Sequence, residues 1–127
     1  MFPSFLAVMT GGAAGCVLRW WMGLRFNGVM VAMPMGTLLV NLIGGFVIGV
    51  ALATFARMPQ MDPAWKLLVT TGFCGGLTTF STFSAEVVAM LQDGRPGWAV
   101  GTIAVHLLGS LLMTYVGMVL VGMLFQD

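Results

Sequence analysis

GFCGGLTTFSTFSAE, residues 72–86, places a double glycine, five hydroxyl side chains and a glutamate inside an otherwise apolar chain. Gly75-Gly76 joins a poor helix former to Thr78 and Thr79, whose hydroxyls can replace backbone partners. The stretch therefore predicts a helix interrupted between Gly75 and Thr78. An interruption at membrane depth persists only where it is buried in protein or lines a wet cavity. It frees carbonyls from the first half-helix, suited to a cation, and N–H groups at the start of the second, suited to an anion.

The surroundings make this a membrane problem. Of 127 residues, 59% are hydrophobic and 7% charged, far from the balance of a soluble domain. The charges are Arg19, Arg25, Arg57, Lys66 and Arg95 against Asp62, Glu86, Asp93 and Asp127. A net charge of +1 argues against a nucleic-acid partner, whose phosphates need a basic surface. Cys16 and Cys74 lie in apolar runs and read as buried free thiols. The first sixteen residues loosely resemble a lipoprotein signal, but they lack a basic start and apolar residues continue past Cys16, which favours a retained helix.

Crossing about 30 Å of hydrocarbon takes about 20 mostly apolar residues, and four segments qualify: about 4–24, 35–56, 64–91 and 97–125. The expectation is one all-α transmembrane domain over residues 1–127. Turn signals separate the spans: Asn27-Gly28 with Pro34, Pro59 to Pro63, and Asp93-Gly94-Arg95-Pro96. With four spans, Arg57 and Lys66 fall on one side, Arg25 and Arg95 on the other, with Arg19 nearer the second. So little bias gives weak grounds for one orientation. The choice lies between a fixed topology and insertion in both directions, which would permit an antiparallel homodimer with a two-fold axis in the membrane plane.

Glycines four apart, at Gly11/Gly15, Gly45/Gly49, Gly72/Gly76 and Gly97/Gly101, predict close helix packing in all four spans. Thr37 and Asn41 lie one turn apart, and Thr102, His106, Ser110 and Thr114 form a stripe. Interhelical hydrogen bonding accounts for Thr37, Thr102 and Thr114, while Asn41 and Ser110 lean towards a pore. His106 reads as a neutral, hydrogen-bonded packing residue rather than a metal ligand, with a pH switch as the alternative. On a helix, Thr79, Thr82, Phe83 and Glu86 share a broad face adjoined by Phe80 and Ser84. Hydroxyl donors and positive ring edges there could replace water around a small anion, or simply form a Ser/Thr-rich packing seam. Arg19 either snorkels or lines an aqueous vestibule. Glu86 pairs with a cation, sits at a vestibule mouth, or handles protons.

Three stretches together resemble the Fluc (CrcB) fluoride channel family: GGAAGCVLRW at 11–20, GTLLVNLIGG at 36–45, and the opening stretch. The resemblance covers essentially the whole chain. It implies a passive fluoride channel of the bacterial inner membrane, built as an antiparallel dual-topology homodimer with two pores. Phe80 and Phe83 would present ring edges to fluoride, Asn41 would donate a hydrogen bond, and Ser81 and Thr82 would form a polar track, with Ser110 a further pore-lining candidate. Gly75 and Thr78 would offer carbonyls from both subunits to a structural sodium ion. Arg19 and Glu86 would stand towards the ends of the path.

A small multidrug-type transporter is the nearest rival, but its chemistry wants an acid in the first span, where this chain has Arg19. A purely structural protein is a second rival. No nucleophile–base set suggests an enzyme.

Overall fold

The computed structural model describes residues 1–126; Asp127, the last residue of the expected domain, lies outside the described residues. All regular structure in it is helical. Helix α1 (Phe2–Phe26) and helix α2 (Met35–Arg57) are followed by a segment in two halves, α3 (63–77) and α4 (Phe80–Gln92), and by α5 (Pro96–Leu124). Four helical segments, with α3 and α4 taken as one, are long and apolar enough to cross a membrane.

Local chemistry sets the boundaries. Asp62 accepts from the Ala64 N–H ahead of Pro63, which suits the first position of α3. Gly94, at φ 71°, closes the turn between α4 and α5, a region that costs other residues a steric penalty. Pro96 then opens α5. The loop before α2 is held from both sides. Asn27 Oδ1 accepts from the Thr37 N–H, capping α2 from outside, and Arg95 donates to the Ala32 carbonyl.

Two glycine seams hold the bundle. Along the first, α1 lies against α3 with backbone touching backbone: a Cβ on Gly72 would stand 3.0 Å from the Gly11 Cα, and one on Gly76 would stand 2.5 Å from the Gly12 carbonyl oxygen. The second joins α2 to α5, where Gly45 faces the Ser110 carbonyl and Gly117 the Phe46 carbonyl. Such approach lets dispersion drive association where lipid offers no hydrophobic gain. Gly97 and Gly101 are different: nothing lies within 4 Å of a Cβ at either. The expected packing of that pair is absent within the subunit, because α5 meets α2 further along, through Gly109 and Gly117.

Apolar packing fills the space between the seams. Met22, Val40 and Leu77 join α1, α2 and α3; Met33, Leu38, Val87, Met90 and Ala99 join the first loop, α2, α4 and α5. Outside, large apolar side chains are exposed along α1 (Phe5, Met9, Val17) and α5 (Leu107, Leu108, Leu111, Leu112, Tyr115). Such a surface suits lipid or a partner, not water. Both cysteines are free, but Cys16 is exposed rather than buried, at the edge of the α1–α3 seam, while Cys74 is buried.

Candidate functional site: an interrupted helix beside a polar groove

The interruption falls at Thr78–Thr79, at the downstream edge of the predicted window. Thr78 (ψ 154°) and Thr79 (φ −148°, ψ 110°) are extended, whereas Gly75 (φ −63°, ψ −36°) stays helical. Upstream, Leu68–Cys74 widens into π-type turns. Neither glycine breaks the helix: Gly76 uses its missing side chain against Gly12 and Cys16 of α1, while Gly75 is exposed and stays helical. The two threonines do so instead.

Thr79 caps the second half. Its Oγ1 accepts from the Thr82 N–H at 3.2 Å and donates to Thr82 Oγ1 at 3.0 Å. Its peptide groups are gripped by Asn41: the Thr79 N–H donates to Asn41 Oδ1 at 2.8 Å, and Asn41 Nδ2 donates to the Thr79 carbonyl at 3.2 Å. Asn41 supplies from its side chain what the broken helix withdrew from the backbone. Nδ2 also lies 3.0 Å from His106 Nδ1, so both amide hydrogens have acceptors.

Carbonyls at the end of α3 show the reverse pattern. In a continuous helix Gly75 O would accept from Thr79 N and Thr78 O from Thr82 N. Those donors are diverted to Asn41 Oδ1 and Thr79 Oγ1. Arg19 Nε donates to the Gly76 carbonyl at 3.0 Å. Thus Arg19 is tied to the carbonyl end of α3 while lining a recess of about 350 Å³ with Asn27, Thr37, Thr79 and Thr82.

A larger groove of about 520 Å³ lies on the other side of the break, lined by Asn41, Gly75, Thr78, Phe80, Phe83, His106 and Ser110 among others. Phe80 is 79% exposed and meets Phe83 edge to face at 5.6 Å between centroids; Phe83 in turn lies 4.5 Å from the His106 ring, tilted by 34°. The groove has no carboxylate or cationic side chain in its lining.

The remaining sequence candidates separate. Ser81, Thr82 and Ser84 are exposed on α4. Ser110 and Thr114 line the groove, whereas fully buried Thr102 donates to the Met90 sulfur. Thr114 donates to the Gly45 carbonyl across the α2–α5 seam. Glu86 pairs with no cation: its Oε1 accepts from Thr37 Oγ1, and Oε2 is buried without a partner among the described residues. The sole ion pair among those residues is Arg95 with Asp93. Sequence reasoning missed Thr79 as the pivot, although Thr79-Phe80-Ser81-Thr82 carries a hydroxyl N-cap signal, and it missed Gly44, which leaves room for the Thr78 methyl.

Comparison with known proteins fixes the family. A family model described as "CrcB-like protein, Camphor Resistance (CrcB)" matches residues 6–118. The chain is 59% identical over 118 residues, 93% of each protein, to the "Fluoride-specific ion channel FluC" of Pseudomonas aeruginosa (strain UCBPP-PA14). It is 62% identical over 114 residues, 90% of each, to the protein of that name from Enterobacter sp. (strain 638). With the protein of that name from Erwinia tasmaniensis it shares 58% over 125 residues, 98% of this chain and 100% of that one. The chain belongs to the CrcB family and is a multi-pass membrane protein.

Proposed function

We propose that this chain is a fluoride-specific ion channel that lets fluoride leave the cell passively across a bacterial inner membrane. The carrying observation is the interruption at Thr78–Thr79, held by Asn41 beside Phe80 and Phe83, in a chain whose relatives bear the name of fluoride channels. Fluoride gives up water only where several donors replace it, yet it must also be released. Ring edges at Phe80 and Phe83 and hydroxyls at Ser81, Thr82 and Ser110 are the groups for that exchange, and the amide of Asn41 joins them by turning one hydrogen away from the Thr79 carbonyl or His106. Arg19, in its recess, raises the local concentration of anions, and Glu86 stands on the same side of the break. An anion gains about 2.3 kcal/mol per 100 mV on leaving a negative interior, so export needs no pump. Family and site speak for a channel and not an enzyme.

The working unit in this reading is an antiparallel dual-topology homodimer with two pores. Its support is the near absence of charge bias and the apolar faces left uncovered. A structural sodium ion would be held by the carbonyls of Gly75 and Thr78 from both subunits. These residues fit: both line the groove, both lose their α-helical donors, and no carboxylate is required. A bound sodium ion would supply a fixed positive charge near the anion path. The multidrug-type alternative is disfavoured because α1 contains Arg19 and no acid.

Halide efflux from proteoliposomes tests the reading. Rapid fluoride loss with very little chloride loss is expected; equal loss of the two defeats it. Phe83→Ile should lower fluoride flux about tenfold, equivalent to about 1.4 kcal/mol, with little change in the yield of folded protein.

A further inference from the structure

The loop between α1 and α2 carries a chemistry that conduction does not use. Asn27-Gly28 joins an amide side chain to the residue that least shields its own N–H, the pairing in which a main-chain nitrogen can attack a side-chain carbonyl. Both residues are exposed, and nothing lies within 4 Å of a Cβ on Gly28. The Gly28 N–H has no hydrogen-bond partner among the described residues, so the nucleophile is free. The chain's other asparagine, Asn41, is followed by Leu42 and gripped through both ends of its amide. At Asp93-Gly94 the glycine N–H is already donated to the Leu91 carbonyl at 3.2 Å.

The electrophile is prepared as well. The Thr37 N–H can only donate, so the atom facing it at 3.1 Å is Asn27 Oδ1. Thr37 lies in the first turn of α2, where N–H groups lack helical partners and the helix dipole is positive. That N–H therefore stands where negative charge develops when the carbonyl is attacked. Closure requires Asn27 to rotate away from its helical ψ of −26°, at the expense of one turn bond, from the Val29 N–H to the Phe26 carbonyl.

We propose that Asn27-Gly28 is a self-modifying site, at which the Gly28 nitrogen attacks Asn27 Cγ and converts the amide into a carboxylate that weakens anion capture in the Arg19 recess. A bond forms between Gly28 N and Cγ, the Cγ–Nδ2 bond breaks, and Nδ2 leaves as ammonia with the Gly28 proton. Water then opens the resulting cyclic imide. Breaking the new N–Cγ bond gives aspartate, and breaking the original main-chain N–C bond gives isoaspartate; nothing is oxidised or reduced. Asn27 lines the same recess as Arg19, so the product sets a negative charge beside the cation that gathers anions there. An aspartate still caps α2 and suits its positive end, so the fold survives the change. The effect on conduction rests on the channel reading above; the covalent chemistry does not.

Full-length protein aged in liposomes at mildly alkaline pH tests both halves. Mass spectrometry of the fragment carrying residue 27 should show conversion to the acid, part of it as isoaspartate, faster than at mildly acidic pH. Gly28→Val meets open space and leaves the Asn27 cap in place, while its branched side chain shields the nitrogen; it should block conversion. Asn27 intact in aged, folded wild type, or equal conversion in Gly28→Val, overturns the proposal. Fresh Asn27→Asp should show about tenfold less fluoride flux at low salt, the low end of what focused charge adds to ion capture, and the deficit should shrink at high salt. Aged wild type should lose flux while aged Gly28→Val keeps it, a comparison that needs no Asn27 variant to fold. Undiminished flux in aged, converted wild type refutes the effect on conduction. If fresh wild type shows no fluoride selectivity, the channel reading fails and takes that effect with it, whereas the mass change still decides the chemistry.

Discussion

The α1–α3 seam and the Thr78–Thr79 break lie within a few residues of each other and solve opposite problems. At the seam, Gly11, Gly72 and Gly76 remove side chains so that two backbones touch. At the break the backbone leaves the helix, and side chains must replace what it loses: Asn41 for both polar groups of Thr79, Thr79 Oγ1 for the Thr82 N–H, Arg19 for the Gly76 carbonyl. One region is specified by absence of atoms, the other by hydrogen-bond supply. Mutations should therefore fail in different ways, by steric exclusion at the first and by orphaned polar groups at the second.

Gly76→Leu should have the largest effect. Its Cβ would meet the Gly12 carbonyl and the Cys16 N–H, both backbone and unable to yield, at a cost of about 3 kcal/mol or more. Little monodisperse protein should survive size-exclusion chromatography in detergent; normal yield would mean that the seam is looser than drawn. Asn41→Leu comes next. It orphans the Thr79 N–H and carbonyl together, at about 2–4 kcal/mol for the two groups, and should lower thermal stability and abolish fluoride flux together. Stability lost without flux, or the reverse, would separate holding the break from lining the pore. Thr37→Val removes the donor to Glu86 and should cost about 1 kcal/mol, read as a modest drop in melting temperature. Gly101→Ala, with nothing within 4 Å, should change subunit stability by at most about 0.5 kcal/mol. A large loss there would show that a second copy covers this glycine.

Much of this was readable in the residues themselves. Four apolar runs, short loops with Asn27-Gly28 and Gly94, and the unusual chemistry of residues 72–86 lead to a helical membrane bundle with one interrupted span. Gly75-Gly76 misleads about where the span breaks, because a glycine pair signals both weak helix and tight packing, and only the position of Gly12 and Cys16 decides between them. The Gly97/Gly101 pair misleads for the same reason: spacing shows that approach is possible, not that a neighbour is present. The link from Asn41 to Thr79 and His106 joins positions 38 and 65 residues apart in the chain, a tertiary fact that no local pattern encodes.

The length of α5 has a further consequence. Its 29 residues span about 43 Å at 1.5 Å per residue, well beyond a hydrocarbon slab of about 30 Å. The helix must therefore lean, or push its ends into the headgroups, and how far it leans depends on bilayer thickness. Because Gly45 and Thr114 lock α5 to α2 beside the groove, a thicker or thinner lipid should alter the shape of that groove with its sequence unchanged.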